Sequence, residues 1–201
     1  MRLHPVCYSL LISLIAGSPA FCQIAATDIA TASPSVRAAV QQINLKDLAS
    51  AQQTLTQGIN ANQNDVAARR YLAYVLLERN QPKQALEQLQ LLPMLGAFDL
   101  FVKGSALLAT SQPFDAVVCL CEAVRMEPLN DTFRDKAVGA LVQVSDYSRA
   151  GALCAEGQRL AKDPSRKKRY EEQFQRFLKL AALLEKAKNC PLRNKGTKKY
   201  K

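Results

Sequence analysis

The residues that usually carry chemistry are few in this chain, and their placement excludes more than it suggests. Its single histidine, His4, lies in an N-terminal stretch that reads as a secretory signal. The mature chain would then hold no histidine as general base, as partner of a nucleophile or as metal ligand. No glycine-rich phosphate loop is present, and Cys119 and Cys121 are spaced by one residue rather than the two of a redox or zinc motif. Glu171-Glu172 reads as a pair on a helix surface, not as an acid and base set. The sequence therefore predicts no catalytic residue, no metal site and no cofactor.

The thiols leave one further question. Cys119 and Cys121 sit two apart, so on a helix they point to nearly opposite sides and do not pair with each other. Cys190, in the basic C-terminal tail, reads as unpaired or as a link between two chains. Met1 to Cys22 has a short basic start at Arg2, an apolar run from Val6 to Ala16, and small residues at Ser18 and Ala20, the layout of a signal peptide. The apolar run is shorter than the ~20 residues that span a bilayer. Cleavage after Ala20 leaves five cysteines and cleavage after Cys22 leaves four. We therefore expect an exported protein, periplasmic, envelope-bound or extracellular, in which disulfides are permitted. Residues 23–34 read as a flexible lead.

Four alanines, Ala51, Ala85, Ala116 and Ala150, follow one another at intervals of 34, 31 and 34 residues, each within an apolar helical pattern. A period of this length means units that bury their apolar faces only by stacking. With the alanine as position 20, repeats start at residues 32, 66, 97 and 131. The third shows Leu100, Gly104, Leu107, Ala116, Leu120, Ala123 and Pro128, an order of large, small, large, small, large, small and proline. The second supplies Leu72, Ala73, Leu76, Ala85 and Leu89, with Leu92 where a small residue belongs and an early Pro93. The fourth supplies Ala137, Leu141, Ala150, Cys154 and Gly157. The first is weakest, with Ser35 and Gln42 at bulky apolar positions beside well-fitting Ala39, Ala51, Leu55 and Gly58.

This pattern resembles the tetratricopeptide repeat over residues 32–164. The resemblance implies an all-α fold, a right-handed α-solenoid of about four helical hairpins, closed by a C-terminal capping helix at 165–188. It also implies that the first helix of each hairpin lines a concave groove for a protein or peptide. Carried onto this chain, the groove positions include Arg70, Tyr74 and Leu77 in the second repeat, Phe98 and Phe101 in the third, and Asp135 in the fourth. Arg70, Tyr74, Phe98 and Phe101 would form an apolar pocket with a cation beside it. The alternative is that Phe98 or Phe101 turns into the core. Cys154 lies one motif position from Cys119 in the equivalent helix of the next repeat. A Cys119–Cys154 bridge is one reading, and small buried hydrophobes in leucine positions is the other. The chaperone-binding branch of the family places lysine and asparagine where this chain has Val36 and Val40, which argues against its acidic-peptide clamp.

Charge is concentrated at one end. Residues 1–164 carry 14 Lys plus Arg and 14 Asp plus Glu, whereas residues 165–201 carry 13 and 3. Asp163 reads as a helix cap before Pro164, followed by an apolar stripe of Tyr170, Phe174, Phe177, Leu178, Ala181 and Leu184. Arg166, Lys167, Lys168 and Arg169 crowd a first helical turn, where the dipole disfavours cations; Lys167 with Glu171 and Lys168 with Glu172 are candidate i, i+4 pairs. With Lys198 and Lys199 in the tail at 189–201, these residues form a basic patch. Composition and resemblance together predict an exported, non-enzymatic adaptor that binds a protein or peptide segment in its groove. The alternative is an electrostatic module docking this basic end on anionic lipid, polymer or nucleic acid, nucleic acid being disfavoured because no groove-reading motif or stacking platform is present.

Overall fold

The computed structural model describes residues 32–188, so the signal-like segment, most of the lead and the basic tail with Cys190 lie outside the described residues. The described residues form nine helices: α1 Pro34–Asn44, α2 Leu48–Ala61, α3 Val66–Glu78, α4 Pro82–Gln90, α5 Ala97–Ala109, α6 Pro113–Met126, α7 Asp131–Gln143, α8 Tyr147–Leu160 and α9 Pro164–Lys188. Their starts are written in the sequence. Pro34 and Pro82 occupy the first turn, where a missing N–H costs nothing. Side chains of Asp47, Asp65, Asn130 and Asp146 accept from the backbone N–H three residues on, at 3.1, 2.9, 3.2 and 3.0 Å.

Each hairpin turns in the same way. Lys46, Asn80, Ser111 and Ser145 adopt φ of 61°, 59°, 60° and 59°, the left-handed region. At Ser111, the N–H bonds to the Leu108 carbonyl at 3.1 Å and the Gln112 N–H reaches back to the Leu107 carbonyl at 2.9 Å. The same two bonds recur at the other three turns. This is the Schellman closure of a helix, which satisfies its last carbonyls. The residue that ends the motif, Asp47 or Asp146, is also the cap of the next helix, so the two helices of a hairpin are joined without slack.

Ala51, Ala85, Ala116 and Ala150 are all fully buried, which places the repeat's close contact where the spacing predicts it. The counterpart is sharpest at Gly104, on which a Cβ would lie 2.5 Å from Leu120 Cγ and 3.2 Å from the Ala116 carbonyl. Ser35, out of place as a bulky position, packs against Gly58, where a Cβ would meet its Oγ at 2.4 Å. The shortened interval between Ala85 and Ala116 has a local cause: α4 has 9 residues where α2, α6 and α8 have 14. Pro93 cannot continue that helix, and Leu92 fills the buried space of the missing turn.

The chain divides into two compact units after Met126. The first holds the hairpins α1/α2, α3/α4 and α5/α6. In the second, α9 packs along α8, with Tyr170 fully buried, Phe177 7% exposed, and the Phe177 ring stacked on Tyr147 at 6.4 Å between centroids. Leu178 departs from the expected stripe and is 48% exposed. One residue beyond Phe177 is a rotation of about 100° on a helix, enough to carry it off the buried line.

Candidate functional site

Arg70 and Tyr74 stand one turn apart on α3, and Phe98 and Phe101 stand on the first turns of α5. The fold brings all four together. The Tyr74 and Phe98 ring centroids are 5.6 Å apart and tilted by 49°, and Phe98 and Phe101 are 6.5 Å apart, within the range where aromatic pairs attract beyond their buried area. Burial separates them, however. Tyr74 and Phe101 are 3% and 8% exposed and belong to the core, while Phe98, Leu77 and Arg70 remain half-exposed. The exposed part of the cluster is therefore Phe98, edged by the Arg70 guanidinium, with Leu77 half-exposed about two turns along α3 from Arg70.

The residue that sequence reasoning missed is Asp99. Its side chain is 1% exposed and accepts from Arg70 Nε at 2.7 Å through Oδ1 and from the Gly96 N–H at 2.9 Å through Oδ2. Arg70 is thus not the lone cation expected of the pocket, because a buried carboxylate lies directly behind it. The signal was present as Gly96-x-x-Asp99, a helix-capping spacing. Nothing in that spacing names Arg70, 29 residues earlier in the chain, as the partner.

Asp135, the groove position expected in the fourth repeat, lies in the second unit and faces α9. Its carboxylate takes Arg169 at 3.1 Å, and the Tyr170 hydroxyl donates to it at 3.3 Å. Asp131 receives the same hydroxyl at 3.0 Å, Arg166 at 2.5 Å and Arg134 at 3.1 Å. Arg134 is 1% exposed, donates also to the Pro128 carbonyl, and lies with Arg169 against the Tyr170 ring. Burial, with help from Asp135 and Asp131 and against Arg134, pushes the Tyr170 hydroxyl up to about 12. Two of the four cations expected as a surface patch, Arg166 and Arg169, are therefore tied to carboxylates of α7. That offsets two of the four positive charges on one first turn. Lys168 approaches Glu172 at 4.0 Å, Lys167 is exposed, and Lys198 and Lys199 lie outside the described residues.

The bridge weighed for Cys119 and Cys154 is not formed. Both are thiols, Cys154 fully buried with its Sγ 3.5 Å from Gln173 Oε1. Burial raises the Cys119 thiol above its usual range and carries Cys154 to about 11, so neither is a ready nucleophile. Among the described residues no group of three or more His, Cys, Asp or Glu is placed to hold a metal ion, and no helix is long and apolar enough to cross a membrane.

No family model and no curated protein matches the sequence. Solved structures do match the fold. MamA from Desulfovibrio magneticus RS-1 is 20% identical with a TM-score of 0.58, over 77% of this chain and 93% of that one. YrrB, described as a TPR protein with an unusual peptide-binding site, is 16% identical with a TM-score of 0.58, over 80% and 90%. TTC0263, a thermophilic TPR protein of Thermus thermophilus, is 18% identical with a TM-score of 0.56, over 79% and 92%. The fold is of the tetratricopeptide type. At these identities the likeness extends to the tetratricopeptide backbone plan and not to individual contacts. Arg70–Asp99 and the Phe98 surface are features of this chain's own sequence.

Proposed function

We propose that the protein is an exported, non-catalytic adaptor that holds a protein or peptide segment against the α3–α5 face built from Arg70, Leu77 and Phe98. The observation that carries this reading is the ring cluster. Phe98 is held half-exposed on a rigid support of Tyr74 and Phe101, so a partner's apolar side chain meets a preformed surface at little cost in ordering. A helical-hairpin protein of similar fold, YrrB, is described as having a peptide-binding site, which supports the class of partner. Export rests on the signal-like layout of residues 1–22, and N-terminal sequencing of the protein recovered from its own cells tests it.

The binding test is a capture of partners from the source cell's own envelope with the mature chain, compared with Phe98→Ala and with Lys167→Ala/Lys168→Ala. Circular dichroism verifies that each variant is folded. An anchor residue of this kind contributes about 2 kcal/mol or more to binding, so Phe98→Ala should release the partner and the lysine variant should keep it. Retention by Phe98→Ala, with loss in the lysine variant, would remove the groove from consideration and return function to the basic end.

A further inference from the structure

We infer that Asp99 sets the charge preference of the α3–α5 face, balancing the charge of Arg70 by an ion pair so that the face takes an uncharged segment through its main-chain carbonyls rather than an acidic one. The inference rests on the adaptor reading above. Arg70 alone, at the edge of an apolar surface, would present a full positive charge and select a carboxylate. Asp99 alters this from beneath. Its two oxygens are both engaged, one by Arg70 Nε at 2.7 Å and the other by the Gly96 N–H at 2.9 Å, so the carboxylate is fixed. With its side chain 1% exposed it is also beyond the reach of solvent or of a ligand.

Nε is the inner donor of the guanidinium. The two Nη groups carry the other four N–H donors of an arginine, and among the described residues Arg70 makes no further hydrogen bond. The side chain is 33% exposed, beside half-exposed Phe98. A ligand there meets hydrogen-bond donors with no net charge behind them. Arginine and aspartate so close together act from outside as a dipole, so most of an incoming carboxylate's attraction to Arg70 is cancelled while its desolvation cost remains. A peptide carbonyl accepts the same N–H groups at a much smaller desolvation cost. The favoured ligand is therefore a neutral stretch with a large apolar side chain for Phe98 and Leu77 and a main-chain carbonyl for Arg70.

The test is an NMR titration of the mature full chain with two probes, the blocked peptide acetyl-Ala-Leu-Phe-Ala-Leu-Phe-amide and the same peptide ending in a free carboxylate. Backbone shifts at Leu77 and Phe98 are read at low and high salt. The wild type should bind the amide at least as tightly as the carboxylate, with little salt dependence. Asp99→Asn, which keeps an acceptor for Gly96 but removes the charge, should favour the carboxylate by roughly five-fold at low salt, the scale of a partly exposed ion pair. A wild type that prefers the carboxylate, with shifts at the same residues, overturns the role of Asp99 and leaves the groove intact. Shifts from neither probe overturn the groove reading itself. Should Asp99→Asn fail to fold, the ranking and salt response of the wild type decide alone.

Discussion

At the scale of single residues, two helical glycines in this chain have opposite roles, and a substitution by alanine separates them. On Gly104 a Cβ would lie 2.5 Å from Leu120 Cγ, so the helices would have to move apart, and Gly104→Ala should destabilise by about 1–3 kcal/mol. On Gly139 a Cβ would meet nothing within 4 Å, so Gly139→Ala should stabilise by roughly 0.5–1 kcal/mol through lost unfolded-state freedom. Urea denaturation of both variants checks the signs, and a gain at Gly104 would refute the hairpin packing. A second residue-level prediction concerns alkali. Tyr170 titrates at about 12 when folded against an ordinary 10.0, and Cys154 at about 11 against 9.0. Both are acids whose folded pKa is raised. The stability they contribute is present in full below pH ~9 and is lost as the pH rises through about 9 to 12. Tyr170→Phe and Cys154→Ala should each flatten part of that loss in a plot of melting temperature against pH, even though Tyr170→Phe also forfeits its bonds to Asp131 and Asp135.

At the scale of elements, the hairpins depend on turns that the sequence does not advertise. Left-handed positions are usually marked by glycine, yet here they hold Lys46, Asn80, Ser111 and Ser145. A side chain in that region costs roughly 1–2 kcal/mol, less for asparagine. Lys46→Gly, Ser111→Gly and Ser145→Gly should therefore each stabilise by up to about 1 kcal/mol, glycine's own unfolded-state entropy taking back the rest, and Asn80→Gly should gain less. Equal effects at all four in thermal melts would show that the turn conformation is not what is being relieved. These residues also explain what could and could not be read in advance. The alanine period was legible because close helix contact tolerates only small side chains, and all four alanines are buried as that argument requires. The turn residues were not, because serine and lysine are at home in many conformations and only the hydrogen bonds around them fix this one. Asp99 was half legible: its capping spacing is local, but its partner Arg70 comes from the preceding hairpin, which no local pattern reports. The ion pairs of Arg166 and Arg169 were not legible for the same reason: both side chains are exposed as a surface patch would have them, but the carboxylates they meet belong to a helix about 35 residues earlier.

At the scale of the whole molecule, the distribution of charge decides between the adaptor and an electrostatic anchor. The chain's formal net charge is +10, yet residues 1–164 balance at 14 and 14, so the repeats themselves are electrically neutral. The excess lies beyond them, where residues 165–201 carry 13 cations against 3 carboxylates, and although Arg166 and Arg169 are bonded to Asp131 and Asp135, the exposed Lys167, Lys168, Arg176, Lys179 and Lys186 of α9 and the lysines near the chain's end are the sources of a long-range field. A partner held by that field would lose affinity steeply with salt, by a factor on the order of a thousand between about 50 and 200 mM if six or more phosphate-like contacts were made. A partner held by Phe98, Leu77 and an Arg70 whose charge Asp99 balances has few counterions to release and should change by less than about three-fold over the same range, since the Debye length matters only to charges that interact. Titrating the captured partner back onto the mature chain at the two salt concentrations measures this directly. A thousand-fold loss would mean that the neutral repeats serve to present the basic end, and that the ring cluster exists to stiffen α3 against α5 and not to bind.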